Sequence, residues 1–120
     1  MKILVVDDSR AMRRIVSRTI RQAGYEDHAI IEAESGQEAL ELTRAEKPDL
    51  ILSDWHMPEM TGIDFLRALN AEGVEIPFGF VTSESTDEMV DMAAEAGALF
   101  LLAKPFTAED MAQVLGVCIP

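Results

Sequence analysis

The sequence is poor in the features that staple, anchor or export a small protein. It holds one cysteine in 120 residues; Cys118 alone excludes an internal disulfide and any multi-cysteine metal knuckle. Positive charge is scarce. Ten Lys and Arg face 22 Asp and Glu, a formal net charge of −12, and the isoelectric point is near 4.4. So acidic a chain excludes a general grip on the phosphates of nucleic acid and disfavours anionic membrane surfaces. No apolar run approaches the roughly 20 residues that span a bilayer, so no membrane insertion is expected. The chain enters directly on Lys2-Ile3-Leu4-Val5-Val6, without the apolar core and small-residue cleavage site of a signal peptide. A soluble, cytoplasmic protein is the expectation. Linkers, low-complexity stretches and dividing charge blocks are also missing, and residues 1–120 read as one domain. What the chain does have is apolar substance: 48% against 27% charged residues, enough for a real core.

Two kinds of segment alternate. Short β-rich apolar runs lie near residues 2–6, 28–32, 49–53, 76–82 and 99–103, with room for one helix and two short loops between each pair. Between them the apolar period is helical. Met12, Ile15, Val16, Thr19 and Ile20 are expected on one buried face, with Arg10, Arg13, Arg14, Arg18 and Arg21 covering the rest. Met111, Val114, Leu115 and Cys118 repeat the spacing near the end. Ser35 with Glu38, Ser85 with Glu88, and Thr107 with Asp110 fit capping boxes at helix starts. Gly24, Gly73 and Gly97 stand where helices should end. The pattern is (βα)5, an α/β fold. Five strands are too few for a closed barrel, and Leu50-Ile51-Leu52 suits a parallel sheet covered on both faces, so a doubly wound open sheet is expected. Function in such sheets sits at the carboxyl ends of the strands.

Those ends carry chemistry. The first strand delivers Asp7 and Asp8, the third Asp54, the fourth Thr82 and Ser83, and the fifth Lys104 and Pro105. If the strand order is 2-1-3-4-5, these groups converge and the second strand lies at the edge. Carboxylates about 4 Å apart repel by on the order of 4 kcal/mol at an effective dielectric near 20. Three of them stay ionised only beside a cation, unless one takes up a proton. Hard oxygens without a second histidine or a thiolate point to Mg²⁺, or Mn²⁺, over zinc or copper. Mg²⁺ favours a phosphoryl substrate, and a carboxylate can accept a phosphoryl group as nucleophile. Asp54, on the central strand, is best placed as acceptor, with Asp7 and Asp8 as metal holders. Lys104 and Thr82 are placed to neutralise the spreading charge. Taken singly, each is unremarkable: a strand-end Asp is usually a cap, Lys104 a surface lysine, Thr82 a β-branched strand residue, Trp55 a packing aromatic and His56 a loop side chain. The set argues for function.

Val5-Val6-Asp7-Asp8-Ser9, Ser53-Asp54-Trp55-His56-Met57-Pro58, Val81-Thr82-Ser83-Glu84 and Ala103-Lys104-Pro105-Phe106 resemble the four signature segments of bacterial response-regulator receiver domains. The resemblance spans essentially the whole chain, including Gly62. Met12-Arg13-Arg14-Ile15-Val16 and Asp54-Trp55 look closer still to the CheY-like single-domain chemotaxis regulators. It implies a flavodoxin-like sheet of order 2-1-3-4-5. It implies that Asp54 accepts phosphate from a histidine kinase or a small acyl-phosphate donor. Mg²⁺ would be held by Asp8 and Asp54, by Asp7 through water and by the main-chain carbonyl of His56. Lys104 would bridge to the phosphoryl group, and Thr82 would swing onto it and reshape the surface of the fourth helix, fifth strand and fifth helix. The target of that surface would be a protein, with the flagellar motor switch as the chemotaxis expectation. Such a chain is a regulator and not an enzyme on separate substrates, and it is expected to be monomeric when unphosphorylated. The Lys104–Pro105 bond matches a family cis peptide.

The chain also departs from the pattern. Where the family has a Tyr or Phe switch residue, three before the lysine, this chain has Leu101. Phe100 should face the other way, because successive strand side chains alternate. His56 stands where the family tunes dephosphorylation. No DNA-binding effector domain is expected after Pro120. A dehalogenase-like phosphatase is disfavoured because His56 replaces the needed second aspartate. A flavodoxin-like cofactor protein is disfavoured because Asp7 and Asp8 would repel its phosphate and no glycine-rich phosphate loop is present. A receiver acting by binding alone is disfavoured because all the acceptor-site groups are present; a receiver in a non-motility phosphorelay and one trimmed from a larger regulator remain as alternatives. Six of the ten basic residues lie in the first 21, and Glu84, Asp87, Glu88, Asp91 and Glu95 make the fourth-helix stretch acidic. These are either two solvated faces or, more sharply, docking faces for an acidic phosphodonor domain and a second partner.

Overall fold

A computed structural model describes residues 1–119. Five parallel strands, β1 (Lys2–Val6), β2 (Ala29–Ala33), β3 (Leu50–Ser53), β4 (Phe78–Thr82) and β5 (Phe100–Ala103), form one sheet in the order β2-β1-β3-β4-β5. Five helices connect or follow them: α1 (Arg10–Ile20), α2 (Gly36–Glu46), α3 (Gly62–Ala71), α4 (Asp87–Glu95) and α5 (Ala108–Cys118). This is the doubly wound sheet expected from the alternating segments.

The strands sort their side chains by parity. Leu4, Val6, Ile51, Phe78 and Phe80 point into a core shared with α2, α3 and α4. Ile3, Val5, Leu50, Leu52 and Val81 point to the other face, against α1 and α5. Continuous apolar strands are what a sheet covered on both faces requires.

The helix starts correct the sequence reading in detail. Thr107 and Asp110 form the expected capping box. Ser35 caps α2, but the Glu38 carboxylate accepts from the N–H of Glu34 instead of Ser35. The cap of α4 is Thr86, which accepts from the Met89 N–H, not Ser85. Thr61 and Asp64 make a further full capping box, on α3, not among the three expected. Gly24, Gly73 and Gly97 all have positive φ, as expected of residues ending helices. On α1, Ile15 is 45% exposed, and the buried positions are Val16, Ser17, Thr19 and Ile20. The apolar stripe therefore lies one position further round the helix than its sequence suggests, with a serine in it. The chain continues from α1 through a widened turn, Arg21–Tyr25, whose helical backbone breaks at Gly24.

Candidate functional site

The parallel register stacks the strand ends. Val6 lies beside Ser53, and Ser53 beside Phe80, so the residues that follow β1 and β3 emerge side by side. Asp7 is buried, Asp54 half-buried and Asp8 exposed, and each can offer an oxygen within 4.8 Å of the others. The Lys104 Nζ reaches in from the far side, 3.1 Å from Asp7 Oδ2 and 3.7 Å from Asp54 Oδ2. The Lys104–Pro105 bond is cis.

Asp7 has more partners than its sequence context suggests. Its Oδ1 accepts from the Ser9 N–H at 2.9 Å and its Oδ2 from Lys104. Its carbonyl accepts from the Arg13 guanidinium at 2.7 Å, while Arg13 Nε donates to Glu32 Oε1 at 2.9 Å. Arg13 thus ties the edge strand β2 to the strand-end cluster. Arg13 shares the spacing of the exposed arginines of α1, and helical period alone does not set it apart from them.

Burial raises the Asp54 carboxyl above its ordinary range. Lys104 pulls it back, Asp7 pushes it up again, and the N–H groups of Trp55 and His56 favour the charged form. The Trp55 N–H donates to Asp54 Oδ1 at 2.7 Å. The Trp55 ring is buried against Phe80, centroids 4.8 Å apart, so it packs the floor beneath Asp54. Gly62 closes that floor: its N–H donates to the Trp55 carbonyl at 2.8 Å. A Cβ there would overlap the Asp54 carbonyl oxygen. The His56 side chain is exposed, with Nε2 3.6 Å from Glu84 Oε2.

Thr82 is fully buried, and its hydroxyl has no hydrogen-bond partner among the described residues. A buried hydroxyl without a partner is unfavourable. The neighbouring Leu101 packs into the core of Trp55, Phe80 and Met89, whereas Phe100 belongs to the opposite core. Phe100 faces Gly79 across the ladder, and its ring lies where a Cβ on Gly79 would be. The alternation expected of these two residues is thus what the sheet contains, and the aromatic at 100 does not replace one at 101.

Three carboxylates of hard oxygen, without thiolate or imidazole among the clustered donors, suit a small divalent cation such as Mg²⁺. Both Asp7 oxygens already accept one hydrogen bond each, yet a carboxylate has about four acceptor positions, so its capacity is not exhausted.

A doubly wound sheet with an acidic cluster, a reaching lysine and a buried threonine at its strand ends defines a class, and the chain matches it in sequence: residues 3–116 fit the response regulator receiver domain model, and the chain belongs to that family. Among its relatives, the chemotaxis protein CheY1 of Helicobacter pylori strain J99 is 41% identical over 122 residues, covering 99% of this chain and 97% of that protein. The chemotaxis protein CheY of Pseudomonas aeruginosa is 41% identical over 111 residues, covering 91% of this chain and 88% of that one. The solved structure of Vibrio cholerae CheY4 at low pH superposes with a TM-score of 0.87 at 34% identity, covering 98% of each chain. The chain is therefore a CheY-like receiver domain, a signalling regulator by family. Among the described residues no helix is long and apolar enough to cross a membrane.

Proposed function

We infer that Asp54 is the phospho-acceptor of a chemotaxis two-component system, charged by a histidine kinase or by a small acyl phosphate. The observation that carries this reading is the Lys104 ammonium, set between Asp7 and Asp54 at the edge of a three-carboxylate cluster. Such a cation meets a phosphoryl oxygen as charge spreads over the transition state. An Asp54 carboxylate oxygen attacks phosphorus as the P–N bond of a phosphohistidine protonated on its other ring nitrogen breaks, and the imidazole leaves neutral, keeping that proton. With an acyl phosphate the P–O bond breaks and a carboxylate leaves. Mg²⁺ (or Mn²⁺), held by Asp8 and Asp54, by Asp7 through water and by the His56 carbonyl, would supply positive charge to the phosphoryl oxygens.

The chain's own groups do the rest. The Trp55 N–H fixes the Asp54 carboxylate, Asp7 aims Lys104, and the unpartnered Thr82 hydroxyl donates to a phosphoryl oxygen once one is present. That movement frees the space under α4 and shifts the α4-β5-α5 surface, which regulates a downstream protein, the flagellar motor switch by analogy with the relatives' chemotaxis names. With Leu101 in the aromatic position, the shift passes through aliphatic packing and not through a swinging ring. A cavity of about 380 Å³ between Met12, Ile15, Ser83, Lys104, Pro105 and Phe106 flanks the lysine and suits an apolar helix of the phosphodonor.

The test follows Trp55 fluorescence and intact mass while Mg²⁺ and then acetyl phosphate or phosphoramidate are added. A Mg²⁺-dependent gain of one phosphoryl group, absent in Asp54→Asn, is expected. If Mg²⁺ acts but no mass is gained, the chain signals by binding alone; if Mg²⁺ changes neither fluorescence nor melting, the carboxylate assignment is wrong.

A further inference from the structure

We propose that the flank of α1 facing β2 is a binding pocket for a small organic phosphate, separate from the Asp54 site. Arg14, Ser17, Arg18 and Arg21 follow the i, i+3, i+4, i+7 spacing along α1 into its terminal turn, and with Ile30 and Glu32 of β2 they line a cavity of about 270 Å³. At 3.6 residues per turn Met12 and Ile15, which line the groove beside Lys104, are centred well over 90° round the helix from this flank, with Ile15 next to Arg18, and the two cavities share no lining residue. The two surfaces are distinct.

Three features point to a ligand. Arg14, Arg18 and Arg21 converge on one cavity and, like the exposed Arg10 and Arg67, make no ion pair among the described residues, whereas Arg13 is paired with Glu32 and Arg44 with Glu72. Ser17 is only 6% exposed, yet its hydroxyl has no hydrogen-bond partner among the described residues. The other two hydroxyls in helix interiors, Thr19 and Thr43, each bond the carbonyl four residues back at 2.7 Å; Ser17 does not make this default bond. Finally, Glu32 gives Oε1 to Arg13 at 2.9 Å, and its Oε2 accepts nothing among the described residues.

Phosphoryl oxygens satisfy guanidiniums in a bidentate manner and accept from a serine hydroxyl. A bare phosphate would meet the Glu32 charge. A phosphate carried on a molecule with hydroxyl or amino groups would donate to Glu32 instead. The cavity lies near the lower end of ligand pockets, about 300 Å³, which favours a sugar phosphate in size. An acidic peptide fits less well, since a cavity of about 270 Å³ is small for an extended chain.

The experiment is a ¹⁵N-resolved NMR titration of the full chain without Mg²⁺, at about 150 mM salt to screen diffuse attraction. Ribose 5-phosphate, inorganic phosphate, ribose and a glutamate-rich peptide serve as probes. Ribose 5-phosphate should give saturable shifts confined to residues 14, 17, 18, 21, 30 and 32, with inorganic phosphate about tenfold weaker and ribose silent. Arg18→Ala should weaken binding at least tenfold and Ser17→Ala several-fold, while Arg10→Ala, outside the pocket, leaves it unchanged. Shifts that never saturate or spread to Arg10, saturation by the peptide alone, or indifference to both pocket variants would overturn the proposal. Asp54 phosphorylation by acetyl phosphate in the same variants is scored separately, so this pocket stands or falls without that reading.

Discussion

At Asp54, burial and the nearby Asp7 raise the carboxyl against the pull of Lys104 and two backbone N–H groups. A carboxyl whose folded pKa exceeds its unfolded value binds its proton more tightly when folded. Its stabilising contribution is therefore present in acid and is lost as pH rises through the folded pKa. Metal-free Asp54→Asn should accordingly melt higher than the parent at pH 7, and the gap should close as pH falls below about 4, the ordinary Asp value. Mg²⁺ at about 100 times its dissociation constant should add about 2.7 kcal/mol to the parent and much less to the variant. A variant that melts lower at pH 7 without metal would contradict the burial argument. Thr82 invites a companion measurement. Its hydroxyl is buried and unpartnered, so the near-isosteric Thr82→Val should cost no stability, because no hydrogen bond is lost. The same change should remove the Trp55 response that follows phosphorylation. For Lys104→Ala the phosphorylation rate should fall roughly 100-fold or more, the usual effect of deleting one preorganised donor.

Elements divide into those that periodicity specified and those that tertiary contact decided. All five strands and the helix-ending glycines were legible, because alternating buried segments and positive-φ positions leave direct marks on residue choice. The convergence of Asp7, Asp8, Asp54, Thr82 and Lys104 was legible once the family resemblance supplied the strand order, which brings those ends together. Cap identity was less so: Ser85 and Thr86 are adjacent and both can cap, and only the backbone path into α4 chooses. Thr86→Ala should cost about 1 kcal/mol of stability and Ser85→Ala close to nothing, measured by urea melts. Arg13 and Ser17 were illegible for another reason. Their roles depend on what β2 places opposite α1, and helical period says nothing of a neighbour. The packing of Gly79 under Phe100 adds a coupled pair. Gly79→Ala should destabilise by about 1–3 kcal/mol, since its Cβ would overlap the ring. In Phe100→Ala the added methyl should cost far less, so a double-mutant cycle should show clear coupling.

On the scale of the whole molecule, the charge of −12 is spread around a body with a radius of gyration of 12.8 Å. At about 10 mM salt the screening length is roughly 30 Å, and at 150 mM it is about 8 Å. An anionic donor such as acetyl phosphate therefore meets general repulsion at low salt. With Mg²⁺ saturating, its second-order rate should rise with ionic strength; a fall would mean that the local field of Lys104 governs the approach. The charges are also unevenly shared between the layers. The arginines of α1 lie on one face of the sheet, and the acidic residues of α4 lie on the other. Such a body is an electrical lever as well as a net charge. In the field of a strongly charged neighbour it experiences a torque before it experiences contact, turning its first helix toward anything negative and its fourth toward anything positive. Two partners of opposite sign could then approach the same molecule from opposite sides without either having to search for its face.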